Sequence, residues 1–557
     1  MRRITEQRRT GSQQDMNQHE RTEKSGAPPV AGLAAVGPWR GTASARTIRR
    51  RRCRGARDVC TAALLCAFLL LFGPGDPHAD AQTPFGFEHV LGEARKLASQ
   101  PFKPPPAVPD YLAKLSYDEY RDIRFDPAHT LWRDAPGNFR VEFIHPGLFY
   151  RHAVTIHTYD RSGARNVPFS PSQFTYGRNA IAAKVPNDLG FAGFRITYPL
   201  YKGTNYNHVL VFAGASYFRA VAQNQVFGLS ARGVALDTGL PAGEEFPFFR
   251  AFWLERPARE ATSLKILALL DSQRLTGAYE FVLRPGTQTV VDVKASLFER
   301  RRATELGIAA LTSMFFYGEE RPRAAGDWRP EVHDSDGLAI EAVTGEWIWR
   351  PLVNPQRLLV SYFELDSPRG FGLLQRDRSF QSYADLEARY ELRPNAWITP
   401  VGTWGKGRVK LVQIPTPNET NDNIVAYWIP ATLPRVGEGI DFAYRIHFQS
   451  DDPLSASGRT TATRVGDGDT AGVKRLVVDF DGGRLKELGA EADVRAVITV
   501  GPEGELIQHN VLKNPVTGGW RLAFQVKPPK GKPLELRAFL QHDRDILTET
   551  WSYLLTP

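Results

Sequence analysis

The amino-acid sequence predicts an all-β protein built as a large sandwich or barrel followed by a small sandwich. Three observations carry this. Short apolar or alternating runs with a period of two begin at about residue 139 and recur to the C-terminus. Gly, Pro, Asn or Asp punctuates them roughly every ten residues, as antiparallel strands joined by turns require. The 48 Gly, 40 Pro and 11% aromatic residues supply both the turns and the rings. With 42% hydrophobic and 24% charged residues over 557 positions, the chain is an ordinary globular one, which excludes a disordered chain, a coiled coil or a multi-span membrane protein.

The first 81 residues read as an N-terminal extension and a cleaved export signal. Arg49 to Arg57 is a basic stretch, Ala62 to Phe72 (AALLCAFLLLF) is a short apolar run, and Ala79-Asp80-Ala81 supplies small residues for cleavage before Gln82. The export route stays open. All three cysteines, Cys53, Cys60 and Cys66, lie in this part, so the mature chain has no disulfide, thiolate metal site or cysteine nucleophile. The same 81 residues hold 14 Lys and Arg against 7 Asp and Glu, leaving a nearly balanced 56 and 54 in the rest. A nucleic-acid partner, which needs a basic folded surface, is therefore not expected.

Residues 82–450 are expected to form the large sandwich. It is preceded by one amphipathic helix over 86–99, from the spacing of Phe87, Val90, Leu91, Ala94 and Leu97, and by a second short helix opened by the capping box Ser116-x-x-Glu119. Strands follow at Val141–Phe143, Val154–Ile156, Phe194–Tyr198, Val209–Val211, Leu264–Ile266 and Val290–Val293. Residues 451–472, small and polar without apolar periodicity, read as a linker. Residues 473–557 carry several short strands, from Leu476–Phe480 to Leu534–Phe539, and suit a small immunoglobulin-like sandwich. No Gly-x-Gly-x-x-Gly or Walker loop is present, so no nucleotide cofactor is expected, and no Gly-x-Ser-x-Gly elbow supports a serine hydrolase.

The segment 331–428 is densest in rings and acids. It holds His333-Asp334-Ser335-Asp336, Trp347, Trp349, Arg350, Tyr390, Trp397, Trp404 and the polar run Asn418–Asn423 (NETNDN), wedged between the apolar runs Val409–Ile414 and Ile424–Trp428. Two readings stand. The rings fill a core and the polar run is a hairpin turn; or the rings stack on sugars beside a carboxylate tuned for glycoside chemistry. On the second, Trp347, Trp349, Arg350, Trp397 and Trp404 line a glucan-binding cleft. His333-Asp334-x-Asp336 is a weak candidate for a metal, His333 standing without another clustered His, and no metal is expected.

The long stretches Asp188–Phe194 (DLGFAGF), Gly214–Arg219 (GASYFR), Phe227–Gly233 (FGLSARG), Gly243–Pro247 (GEEFP), Phe252–Pro257 (FWLERP), Gly345–Pro351 (GEWIWRP), Gly370–Arg376 (GFGLLQR), Glu419–Trp428 (ETNDNIVAYW) and Glu549–Tyr553 (ETWSY) resemble the periplasmic glucan biosynthesis proteins G and D, leaning toward G. The likeness spans about residues 84 to 555. It implies a mutarotase-like large β-sandwich joined to an immunoglobulin-like domain, a periplasmic location, and work on linear β-1,2-glucan backbones of osmoregulated periplasmic glucans. It further implies an inverting β-1,2-glucan endohydrolase with Asp422 as general acid, Asp334 as base, and Glu419 and Tyr390 in the proton relay. The alternative is a non-catalytic protein that presents the backbone to inner-membrane glucan synthase or branching machinery. Pairing as a homodimer is left open.

Overall fold

The computed structural model describes residues 85–201, 205–320, 326–453 and 457–557. The expected export signal and its cleavage site lie outside these residues. Among the described residues no helix is long and apolar enough to cross a membrane. The chain is all-β; the described residues form two large sheets, one four-stranded sheet and two two-stranded sheets.

The first large sheet has ten strands. From one edge run Arg140–Ile144, Gly193–Tyr198, Asn207–Ala213, Tyr217–Ala220, Ser230–Arg232, Leu306–Ser313, Ile424–Pro430, Gly407–Gln413 and Leu359–Leu365, and the short strand Ala235–Leu236 joins Leu306–Ser313 off this path. The second sheet has fifteen strands and includes the antiparallel series Phe248–Glu255, Leu264–Asp271, Leu275–Arg284, Thr289–Glu299 and Gly439–Gln449. The inner faces meet in one continuous apolar core. Phe194 of the first sheet lies edge-on to Phe252 of the second at 5.0 Å between ring centres, and Phe218 to Phe281 at 5.3 Å. Edge-to-face rings at such distances suit aromatic quadrupoles and hold the sheets together.

The helix Phe87–Ala98 forms where spacing predicts it and buries Phe87, Val90, Leu91 and Ala94. It lies on the outer face of the second sheet, against Ala251, Leu267, Leu269, Ala278 and Phe298. This explains the unbroken apolar run of Leu264–Asp271. Ile266, Ala268 and Leu270 point into the sandwich, while Leu267 and Leu269 point to the helix. The capping box also forms. Ser116 Oγ accepts from Glu119 N at 3.3 Å, and Glu119 Oε2 accepts from Ser116 N at 2.7 Å.

At the C-terminus, Arg459–Asp467, Lys474–Asp481, Trp520–Lys527 and Glu505–Lys513 form the four-stranded sheet. Val494–Val500, Leu534–His542 and Thr550–Leu555 form a second layer over it, and Leu476, Leu522, Phe524, Leu536 and Trp551 share a core. The expected linker over 451–472 is corrected here, because its residues 459–467 are a strand. Its buried positions are Thr460, Ala462 and Thr463, small or polar residues that a search for apolar alternation passes over. Thr463 is buried because its Oγ1 accepts from the Trp551 indole N–H at 2.9 Å. The C-terminal layers are also continuous with the second large sheet. Thr550–Leu555 pairs in parallel with Trp347–Pro351, Ile348 opposite Thr550 and Trp349 opposite Trp551.

Candidate active site

The four residues expected to carry the chemistry come from three neighbouring pieces of chain. Strands Gly407–Gln413 and Ile424–Pro430 form an antiparallel hairpin, Gln413 opposite Ile424, and the polar run 418–423 lies in its connection. Asn423 ties the connection down: its Oδ1 accepts from Phe315 N at 2.8 Å, and its Nδ2 donates to the carbonyls of Phe315 and Ile414 at 3.0 Å each. Asn418 Oδ1 accepts from Thr420 N at 3.0 Å, the Asx geometry expected of a turn. The hairpin reading of this run therefore holds, and the turn places Glu419 and Asp422 beside the ends of the sheet strands. Asp334 follows Val332–His333 and is fixed by its own N–H, which donates to Met314 O at 2.8 Å. Tyr390 opens the short 3-10 turn Tyr390–Leu392.

Arginines bind these acids into one cluster. Arg219, from Tyr217–Ala220, stands 3.7 Å from Asp422 and donates its Nε–H to Ser230 Oγ at 2.8 Å. Arg393 Nε stands 3.5 Å from Asp334 Oδ1, and its guanidinium lies 5.2 Å from the Tyr390 ring centre. Arg329 pairs with Glu419 at 2.5 Å and is held by Asp327 at 2.8 Å and Asp385 at 3.2 Å. Arg232 donates to Thr312 Oγ1 at 2.7 Å, pairs with Glu244, and acts electrostatically on Asp422. None of these arginines stood out in the sequence. The available signal was an arginine inside an otherwise apolar strand motif, as in GASYFR and FGLSARG, because a guanidinium so placed is buried and needs an acid.

Asp422 has the most unusual setting. Its side chain is 6% exposed, and neither carboxyl oxygen has a hydrogen-bond partner. Burial raises its pKa to about 6, with a further push from Asp334, while Arg219, Arg232 and Arg393 pull the other way and lose. Tyr390 is buried, which pushes its phenol upward; Glu419 and Asp334 both add to that rise, so both carboxyls are felt at its hydroxyl.

His333 backs Asp334. Its Nε2 faces Glu331 at 2.9 Å, and its Nδ1 faces Gln375 Oε1 at 2.9 Å and Asp336 at 3.4 Å. Burial alone would lower its pKa, but Asp336, Glu331 and Gln375 together raise it to about 10. The ring is thus an imidazolium that donates from both nitrogens. Glu331, His333 and Asp336 could in geometry surround a cation, but that donor set is already used internally.

Of the aromatic residues expected to line a cleft, Trp349 and Trp397 are buried, while Trp347 and Trp404 are half-buried. Trp349 and Trp397 are buried in the core shared with the C-terminal layers, and Trp347 stacks on Trp397 at 5.3 Å. Arg350 is buried and pairs with Glu535 of those layers at 2.6 Å. Trp404 is half-buried, donates to Ala443 O at 3.2 Å and packs on Trp428 and Tyr444. These strands also face the C-terminal residues, so their rings have a core to fill that lies far along the chain.

The burial of Asp422 has a consequence for stability. A carboxyl whose pKa rises from 3.8 to about 6 on folding costs about 3 kcal/mol when ionised. The folded state then holds a proton that the unfolded state has lost between these pH values, so this residue makes stability fall as pH rises from about 4 to about 6. Asp422→Asn removes the charge but not the shape. Its stability relative to wild type should therefore improve by about 3 kcal/mol between pH 4 and pH 7. Denaturation curves at both pH values measure this, and a difference that stays flat with pH would count against a buried, orphaned carboxyl.

The chain is thus an all-β protein with a buried acid that lacks a hydrogen-bond partner, set in a cluster of arginines, carboxylates and a buried tyrosine. Comparison with known proteins adds the family. The family model described as "Periplasmic glucan biosynthesis protein, MdoG" matches residues 85–555. The chain belongs to this family and is periplasmic, with a part in glucan biosynthesis. It is 49% identical to a Glucans biosynthesis protein G of Ralstonia nicotianae over 493 residues, covering 86% of this chain and 97% of that protein. It is 45% identical to the protein of the same name from Pseudomonas aeruginosa over 491 residues, covering 85% and 93%. It is also 45% identical to that of Sodalis glossinidius over 489 residues. The resemblance to the G type seen in the sequence is thereby confirmed.

Proposed function

We propose that the protein cleaves linear β-1,2-glucan backbones with inversion, Asp422 acting as general acid and Asp334 as base. The observation that carries this is the orphaned, buried Asp422 carboxyl with its pKa near 6, a group that holds a proton at mildly acidic pH and has no internal acceptor to give it to. In the proposed step Asp422 protonates the leaving glycosidic oxygen as the C1–O bond breaks. A water attacks C1 from the opposite face, and its proton passes through the Tyr390 hydroxyl to Asp334. Glu419, held by Arg329, steadies the Tyr390 end of the relay. Each step conserves protons: one leaves Asp422, one arrives at Asp334. The turn tied down by Asn423 holds Asp422, and the N–H of Asp334 on Met314 O holds Asp334.

The test is the anomeric form of the first products. Mature protein incubated with linear β-1,2-glucan and followed by NMR should release α reducing ends before mutarotation sets in. First products in the β form would overturn inversion. A protein that binds the glucan and releases nothing would move the assignment to presentation of the backbone to inner-membrane synthase machinery.

A further inference from the structure

The segment Gly243–Pro247 (GEEFP) has no part in the proton scheme, yet it borders Asp422 through one shared arginine. Both its acids are committed. Glu244 pairs with Arg232 and accepts from Thr238 Oγ1 at 2.6 Å. Glu245 accepts from Arg274 N at 3.0 Å and Arg274 Nε at 2.8 Å. Between these anchors and Pro247, the Phe246 ring is 51% exposed. The Arg232 guanidinium lies 5.6 Å from the Phe246 ring centre and 4.8 Å from that of Tyr217, so it supports both rings. The same buried guanidinium acts on Asp422. Phe149, Tyr201, Trp328 and Tyr362 are also large exposed rings. Phe246 differs from them in resting on Arg232, whose strand also carries Ser230, the acceptor at 2.8 Å of the Nε–H of Arg219, which stands 3.7 Å from Asp422.

We propose that Phe246 is a sugar-stacking platform at the rim of the Asp422 site, taking the apolar C–H face of a glucose ring of a β-linked glucan. This deepens the proposed function and rests on that reading for the identity of the glucan. Two physical points support it. An exposed phenyl ring gains by covering its open area with an apolar sugar face. Its two anchored neighbours and the arginine behind it fix the ring before ligand arrives, so little side-chain freedom is lost on binding. Trp349 and Trp397 are buried in the core, Trp347 stacks on Trp397 and Trp404 packs on Trp428, whereas the exposed Phe246 ring shares Arg232 with the surroundings of the acid.

The test uses the full mature chain and a linear β-1,2-glucan oligosaccharide. In an Asp422→Asn background, which prevents turnover, calorimetry should show about tenfold weaker binding for Phe246→Ala and recovery to within about twofold for Phe246→Trp. With Asp422 present, Phe246→Ala should raise KM by a similar factor, leave kcat nearly unchanged and leave the pH at which activity falls unmoved. Unchanged glucan affinity in Phe246→Ala would overturn the platform. So would a shifted pH limb with unaltered affinity, which would mean that the ring serves only to position Arg232. The calorimetric arm reads the platform even if the wild-type protein cleaves nothing, so its failure and the failure of the hydrolase reading are told apart.

Discussion

Asp422→Asn should lower β-1,2-glucan hydrolysis at least about 100-fold while leaving glucan binding in place. The amide keeps the shape of the carboxyl but has no proton to deliver to the leaving oxygen. General acid–base participation is commonly worth 10²–10⁴-fold, about 3–5 kcal/mol of barrier, which sets the size of the loss. Asp334→Asn should do likewise from the base side, whereas Tyr390→Phe should cost less where a water can replace the hydroxyl. The pH profile has a defined sign. Activity in the wild type falls as pH rises through about 6, where Asp422 loses its proton. Initial rates from reducing-end release across pH measure all of these, and an Asp422→Asn protein with near-normal turnover would remove Asp422 from the mechanism.

The second large effect lies at the junction with the C-terminal layers. Glu549→Ala should destabilise the protein by about 3–5 kcal/mol. Arg376 is buried and grips Glu549 with two N–H groups, at 2.6 and 3.0 Å. Its Nε faces Asp452 at 3.2 Å, it donates to Thr460 O at 3.0 Å, and its guanidinium lies 3.6 Å from the Trp349 ring centre. Glu549 also accepts from Thr460 N at 2.7 Å. Removing the carboxylate leaves a buried cation short of charge and a buried N–H without its acceptor, two separate costs. Chemical denaturation of the whole mature chain measures the loss. A cost below about 1 kcal/mol would show that the junction tolerates an unpaired guanidinium. Because this junction continues a sheet, the C-terminal layers should unfold together with the large sandwich rather than as a separate unit.

Much of the fold was legible in the sequence because its strands are buried on at least one face, and apolar alternation reports that directly. Leu275–Arg284 and Thr289–Glu299 pair residue by residue, as their pattern suggests. The helix Phe87–Ala98 showed itself by its spacing. What stayed hidden depends on partners distant in sequence. Nothing near Trp349 announces that Trp551 will lie beside it, so a ring cluster rich in acids looked like a sugar cleft. Arg459–Asp467 looked like a linker because its buried side chains are Thr and Ala. At the site, Asp422 and Asp334 came from the family resemblance. The surroundings that give Asp422 its character did not: Arg219, Arg232 and Arg393 come from separate strands and turns, and only folding brings them to one carboxyl.

The central claim, that this chain shortens β-1,2-glucan through Asp422, is tested most directly by chain length against time. Linear β-1,2-glucan of defined length is incubated with mature wild-type protein and with the Asp422→Asn variant, and products are sized by chromatography. Progressive shortening by the wild type at mildly acidic pH, with an essentially unchanged length distribution for the variant, is the expected result. A glucan that keeps its length with the wild-type protein while binding to it would contradict the account.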